Sequence, residues 1–423
     1  MENRDFSQQV EQPEKKGKGL IGFVGGLFTG ILIVGVMCSI YIHRQSISIL
    51  GERNIQTSAP AEEESVLDDD VLKKLSLLED SIDQYYLESV NEDDLKDSLY
   101  HGLVAGLGDP YSVYYSKEEL EAVMESTEGI YYGIGAYIGV DQETGYCKIT
   151  KVMPDTPAEE AGVMAEDLIV AVDGESMLNV GSSEIVTYIK GPEHTTVDLT
   201  LYREGEREYV ELTVERRKIE TPTVTYSMDE DKIATIQITE FDEVTLSQFE
   251  DCLKQAKKDG MKGLVLDLRD NPGGSLNVVV DIAGHFLPKG LVVYTEDKNG
   301  RRKEYNCDGR DELDVPLVVL INGNSASASE ILAGAIKDYN KGILLGTTTF
   351  GKGIVQKIYG ISDGSAVKLT ISHYYTPSGA DIHGVGIDPD EELKLDVDAY
   401  LESGYDNQME RAKEILRSQI TGD

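Results

Sequence analysis

The chain has 423 residues, enough for two or three domains with a core in each. It carries 39 lysines and arginines against 77 aspartates and glutamates, a net charge of −38, and such a surface repels nucleic acid and anionic membrane. The four cysteines (Cys38, Cys147, Cys252, Cys307) are too few and too scattered for a disulfide framework, and they show no metal-ligand spacing.

The first 44 residues hold five basic and four acidic residues, so the rest of the chain carries −39. Leu20 to Ile42 is a run of 23 residues without a charge, and about 20 apolar residues suffice to cross a bilayer. Lys15, Lys16 and Lys18 precede it and the chain after Arg44 turns acidic. The positive-inside rule then puts residues 1–19 in the cytoplasm and everything after the span outside the cell. A cleaved signal peptide is the rival reading, but the run is long for one and no clear A-x-A site follows. Residues 43–70 are polar and acidic, with Glu62-Glu63-Glu64 and Asp68-Asp69-Asp70, and are expected to be a solvated linker.

A helical region is expected over 71–127. Val71, Leu75, Leu78, Ile82 and Tyr85 fall at helical spacing, Asn91 can cap a helix bearing Leu95, Leu99 and Leu103, and Ser116 with Glu119 forms a capping box. Residues 128–218 change rhythm. Gly133-Ile134-Gly135 precedes a short strand at Ala136–Val140. Then come a strand at Lys148–Val152, a helical Pro157–Gly162, a strand over Asp167–Val172 with a turn at Asp173-Gly174, a helix over Ser183–Lys190 and a strand over Thr196–Arg203. This order resembles a PDZ domain. Its N–H groups around Gly133, Ile134, Gly135 and Ala136 would hold a peptide carboxylate, the next strand would offer an edge, and Ile185, Val186 and Ile189 would form the other wall of the groove.

Strands and helices then alternate over 219–393, as suits a mostly parallel sheet: Ile233–Ile238, a helix capped by Thr245, Leu264–Leu268, a helix over Ser275–Phe286, Pro316–Ile321 and a helix through Ile331–Ile336. Further strands follow at Gly342–Leu345 and Ala366–Ile371, and residues 394–423 end in helix with Met409, Ala412, Leu416 and Ile420. Three stretches carry the chemistry. Ser325-Ala326-Ser327-Ala328-Ser329-Glu330 sits where a buried strand turns into a helix, and capping explains only one of its three serines. Thr349-Phe350-Gly351-Lys352-Gly353 holds a lysine between glycines. Arg269-Asp270-Asn271-Pro272-Gly273-Gly274 closes a buried strand with a glycine turn at its carboxyl end, where ligands of open α/β sheets bind.

A serine nucleophile needs a base. The six histidines are scattered, there is no G-x-S-x-G or H-E-x-x-H, and no Ser-His-Asp triad is signalled. A lysine serves if it is neutral, and bringing it from ~10.4 to near 7 costs roughly 4–5 kcal/mol. Burial or nearby positive charge must supply that, and Phe350, Gly351, Gly353, Ile354 and Val355 fit such burial. Glu330 and Asp270 read as structural.

With DLRDNPGG at Asp267–Gly274, FGKG at Phe350–Gly353 and YYTPSGADIHGVGIDPD at Tyr374–Asp390, the serine run makes the chain after residue 70 closely resemble the carboxyl-terminal processing peptidases, tail-specific serine proteases of family S41. The resemblance implies an α/β peptidase core of the crotonase/ClpP-like type with an inserted PDZ domain and flanking helical segments, to which the uncharged run at 20–42 adds an N-terminal transmembrane helix. It implies Ser327 as nucleophile, Lys352 as general base, Gln356 beside the dyad, and the N–H groups of Gly273 and Ala328 as oxyanion hole. Gln356 shares a face with Lys352 whether the segment is helix or strand. The expected activity is that of a membrane-anchored, extracytoplasmic endopeptidase without metal or cofactor. It would act on proteins and peptides with free C-termini, as a homodimer through its helices, with room for a regulatory protein. A PDZ-bearing adaptor with an idle core is the rival class, disfavoured by intact Ser327, Lys352 and Gln356. A crotonase-type acyl-CoA enzyme is a third, disfavoured by the PDZ-like insert.

Overall fold

A computed structural model describes residues 65–141, 144–309 and 312–422. The apolar run at 20–42 and most of the acidic linker lie outside the described residues. Among the described residues no helix is long and apolar enough to cross a membrane. The chain divides into two compact units, one ending at Gly102 and including Ile358–Val367, the other comprising Leu103–Lys357 and Lys368–Asp423.

The first unit is built on helices α1 (Asp69–Tyr85) and α2 (Glu92–Ala105). Asp68 accepts the Val71 N–H at 2.8 Å and Asn91 that of Asp93 at 3.1 Å, so acidic and polar caps start both helices. Neither helix buries a residue fully. Leu75, Leu78, Ile82, Leu95 and Leu99 line an open apolar groove instead.

The second unit opens with β1 (Val113–Tyr115) and α3 (Lys117–Glu128). The expected capping box at α3 is present: Ser116 N–H donates to Glu119 at 2.8 Å and Glu119 N–H to Ser116 Oγ at 3.2 Å. A neck follows in which β2 (Ile130–Gly133) pairs with β9 (Arg217–Glu220), so the strands entering and leaving the insert run side by side. Between them lie β3 (Ala136–Val140), β4 (Cys147–Val152), α4 (Pro157–Ala161), β5 (Leu168–Val172), β6 (Glu175–Ser176), α5 (Ser182–Ile189), β7 (Thr196–Tyr202) and β8 (Val210–Glu215). Their sheet has the order β3-β4-β5-β7-β8, which leaves β3 at an edge. It closes over its own core of Ile149, Ile169, Leu199, Leu201 and Val214.

The remaining elements are β10 (Val224–Met228), β11 (Ile233–Ile238), α6 (Thr245–Lys258), β12 (Gly263–Asp267), α7 (Leu276–Ala283), β13 (Gly290–Asp297), β14 (Arg302–Cys307), β15 (Leu317–Ile321), α8 (Ala328–Asp338), β16 (Ile343–Gly346), β17 (Ile354–Gly360), β18 (Ala366–Tyr375), β19 (Glu391–Glu392), α9 (Val397–Ser403) and α10 (Asn407–Thr421). The central sheet runs β10-β11-β12-β15-β16-β19, parallel throughout except for β10. Because side chains alternate along a strand, Leu264 and Leu266 face α6, α7 and α8, while Val265, Val318 and Leu320 face Ala412 and Leu416 of α10. A second sheet joins β1, β18, β13 and β14, with β17 paired to β18.

Two local expectations are corrected. Thr245 lies in the first turn of α6 rather than capping it; its buried hydroxyl accepts the Asp242 N–H at 2.9 Å and meets Thr223 Oγ1 at 2.7 Å. The helix after the glycine turn stops at Ala283, short of Phe286. Gln356, left open between helix and strand, stands on a strand.

Candidate active site

Strand β15 delivers the serine run to the carboxyl edge of the sheet, and buried hydroxyls fix it there. Ser325 Oγ donates to the Leu268 carbonyl at 2.8 Å, and Ser329 Oγ to the Asn271 carbonyl at 3.0 Å. These two serines therefore staple the turn to the loop after β12 and are spoken for. Asp270 adds a clamp: one of its oxygens accepts from Asn322 Nδ2 at 2.9 Å and from Asn324 Nδ2 at 2.8 Å, and these bonds hold its carboxyl below the usual range.

Ser327 alone of the three is half-exposed. Its φ of 55° and ψ of −113° place a non-glycine residue in a costly backbone region, immediately before the first residue of α8. Such strain persists only where surroundings impose it, and here Glu330 does. The Ser327 N–H donates to Glu330 Oε2 at 2.9 Å. Glu330 is fully buried and also accepts from Thr349 Oγ1 at 2.6 Å, the Gly351 N–H at 2.7 Å and the Lys352 N–H at 2.8 Å. One carboxylate thus joins the serine turn to the lysine loop.

The lysine loop is fitted by close backbone approach. A Cβ on Gly353 would lie 2.4 Å from the His383 backbone nitrogen, and Gly351 has a φ of 89°. Burial, aided by the positive charge of Lys368 and opposed by Glu330, lowers the Lys352 amine below the ordinary lysine value. Phe350, expected among the burying groups, is 56% exposed. Tyrosines lie beside the lysine instead. The Lys352 Nζ lies 4.8 Å from the centroid of the Tyr111 ring. Tyr374 is buried and donates its hydroxyl to the Lys352 carbonyl. Burial pushes the Tyr374 phenol well above its usual value, so it stays a protonated donor.

The fold thus brings Ser327, Lys352, Gly273 and Ala328 to one place. A Cβ on Gly273 would be 2.7 Å from Ser327 Cβ and 2.9 Å from the Ala328 nitrogen. As the first helical residue, Ala328 has no intrahelical partner for its N–H. The Gly273 N–H is donated to Asn271 Oδ1 at 2.8 Å, while Asn271 Nδ2 holds the Ile238 carbonyl at 2.9 Å. Gln356 points elsewhere: its amide nitrogen lies 3.5 Å from the Ile354 carbonyl and 3.5 Å from Thr370 Oγ1, and among the described residues it makes no hydrogen bond to Lys352. Nor do Ser327 Oγ and Lys352 Nζ bond each other there. His373 and His383 pair edge-on with each other, ring centroids 5.3 Å apart, and His285 packs on Phe249. Among the described residues no cluster of three or more His, Cys, Asp or Glu side chains suits a metal ion. Tyr111 and Tyr374 carry no sequence signal as site residues, although Tyr374 opens the YYTPSG run.

In the inserted domain, Gly133 ends β2 and Ala136 starts the edge strand β3, with Ile134 and Gly135 between. The carbonyl side of this loop is used: Ile134 O accepts from the Ala158 N–H at 2.8 Å and Gly135 O from the Met153 N–H at 3.0 Å. Among the described residues the Ile134 and Gly135 N–H groups have no partner. Of the residues expected in the groove wall, Ile185 and Ile189 are buried in the domain core and Val186 is half-exposed.

A model of peptidase family S41 matches residues 232–393, one of the PDZ domain residues 148–203, and one of the N-terminal domain of the activating protease CtpB residues 32–119. The chain is 34% identical over 373 residues to the carboxy-terminal processing protease CtpA of Bacillus subtilis (strain 168), covering 87% of this chain and 77% of that one. It is 38% identical over 323 residues to a probable CtpA-like serine protease of Staphylococcus aureus (strain MRSA252), covering 75% of this chain. The match spans 64% of that relative's length. Among solved structures, the photosystem II D1 C-terminal processing protease is similar at 30% identity and a TM-score of 0.45, with 76% of this chain and 86% of that one covered.

Proposed function

The chain belongs to peptidase family S41, as a carboxyl-terminal processing serine protease with a PDZ domain, and on that premise we propose that Ser327 and Lys352 are its catalytic dyad. The observation that carries the reading is the Glu330 carboxylate, which holds the backbone of both residues while burial lowers the Lys352 amine. Neutral Lys352 takes the Ser327 proton as the hydroxyl oxygen attacks a peptide carbonyl. The Ala328 N–H, joined by that of Gly273 once Asn271 lets it go, holds the oxyanion. The lysine then gives its proton to the leaving amine, and water releases the acyl group from Ser327. Gln356 steadies the lysine amine once the two approach.

The free N–H groups of Ile134 and Gly135 beside the edge strand β3 support capture of a substrate's terminal carboxylate, with the following residues added along β3. Protein substrates with exposed C-terminal tails fit both sites. We place the core in the crotonase/ClpP-like class, and we read residues 20–42 as a retained anchor that leaves the catalytic part extracytoplasmic. The apolar groove of α1 and α2 is the surface proposed for homodimerisation, and a gating protein is the remaining candidate partner. Size-exclusion chromatography with light scattering tests the dimer: Leu78→Glu combined with Leu99→Glu should give monomer. The dyad is tested by cleavage of an unfolded protein with wild type, Ser327→Ala and Lys352→Ala. An idle adaptor would show no difference among the three while still binding tails.

A further inference from the structure

The Lys352 amine rests on the face of Tyr111, 4.8 Å from the ring centroid, and it makes no hydrogen bond to Ser327 Oγ. Tyr111 comes from a segment far upstream, and that segment is firmly held. Asp109 Oδ1 accepts the Tyr111 N–H at 3.0 Å, and Asp109 Oδ2 the Ser112 hydroxyl at 2.6 Å. Ser112 Oγ in turn accepts the Thr370 N–H at 3.1 Å, and β1 continues the pairing along β18. Pro110 fixes the approach. Four residues on, the Tyr115 ring lies 5.3 Å from Nζ of Lys368, the cation that adds to burial in lowering Lys352. One short segment therefore presents an aromatic face to each lysine of the site.

We propose that Tyr111 is a positioning residue for the general base, a proton-dependent latch that holds the Lys352 ammonium off Ser327 and releases the free amine to it. This rests on the reading of Lys352 as base. The physical reason is the ring quadrupole. It attracts a cation but has little hold on a neutral amine, so loss of the proton both creates the base and frees it to swing. The other groups facing Lys352 are Lys368 and Tyr374 from β18, Glu330 from α8 and Ser327 ahead of it.

The test is the pH profile of kcat/KM for the full chain in detergent on reduced, carboxymethylated α-lactalbumin, with wild type, Tyr111→Phe, Tyr111→Leu, Tyr111→Met and Lys352→Ala in parallel. A ring face favours the charged form, so its loss moves the acid limb to lower pH, by about half a unit to one unit. Leu and Met should both show the shift, and Phe should keep the wild-type limb. Either aliphatic variant decides the matter if the other does not fold. A limb that stays in place in Leu or Met, or that moves equally in Phe, overturns the latch. A fully active Lys352→Ala would instead remove the dyad reading beneath it, a different result from an unmoved limb with Lys352→Ala dead.

Discussion

Glu330 accepts the backbone N–H of Lys352 at 2.8 Å with the same carboxylate oxygen that takes the N–H of Ser327 at 2.9 Å. The strained turn at Ser327 and the loop of Lys352 are thus set by one buried anion rather than by contact with each other. Glu330→Gln places an amide NH2 against several N–H donors, and a buried polar group without its partner is costly. It should lower kcat/KM at least tenfold and cost about 2–4 kcal/mol of stability. Urea unfolding and cleavage rates check both, and full activity in the variant would contradict the tie.

Gly273 leaves no room for a side chain. A Cβ there would lie 2.7 Å from Ser327 Cβ and 2.8 Å from the Ala326 carbonyl, at a φ of 108°. Gly273→Ala should displace Ser327 and cut kcat by roughly a hundredfold or more, the scale of a lost oxyanion donor. Steady-state kinetics on a variant checked by circular dichroism reads this.

The Lys352 amine is lowered first by burial and then by Lys368. An ammonium cannot accept the serine proton, so kcat/KM should rise with pH through a limb below the ordinary lysine value of ~10.4. Lys368→Ala removes the repelling charge, raises the Lys352 value and should move that limb to higher pH. A limb that moves down, or stays, contradicts the assignment.

Asp242, 5% exposed, stands at the base of the neck, where a Cβ on Gly129 would meet its side chain at 2.9 Å. Burial, reinforced by Glu240 and Glu243, raises its carboxyl to about 7. A value raised above the unfolded ~3.9 means the folded state holds the proton more tightly. Its contribution is full below pH ~4 and is lost as pH rises through about 7. Asp242→Asn should therefore gain on wild type as pH climbs from 4 to 8, by a few kcal/mol at most. Urea midpoints across that range measure the difference, and a constant gap would exclude the linkage.

In the inserted domain a Cβ on Gly135 would lie 2.5 Å from Thr156, at a φ of 83°. Gly135→Ala should weaken binding of a free-acid C-terminal peptide at least tenfold, and amidating the peptide should do the same to wild type. Fluorescence anisotropy reads both. Equal binding of acid and amide would remove the carboxylate from the recognition.

Much of this fold could be read from residues alone. The runs that became β12 and β15 are buried at every position, and their continuous apolar character announced a covered parallel sheet. The glycine turns and the serine run marked the sheet's carboxyl edge for the same reason. The hairpin of β13 and β14 was silent because Arg302–Cys307 is mostly exposed and polar. Roles set by distant partners were equally silent. Nothing near Ser325 or Ser329 in sequence names Leu268 or Asn271 as acceptors, and nothing near Lys352 names Tyr111. Phe350 beside the lysine suggested burial, yet the loop turns it outward and brings tyrosines from other elements.

The most direct test of the account is intact-mass analysis of an unfolded protein incubated with the full chain, its Ser327→Ala variant and its Lys352→Ala variant. The account predicts cleavage products from wild type alone, with both variants folded and still binding the free-acid tail. Products of equal yield from Ser327→Ala would contradict it.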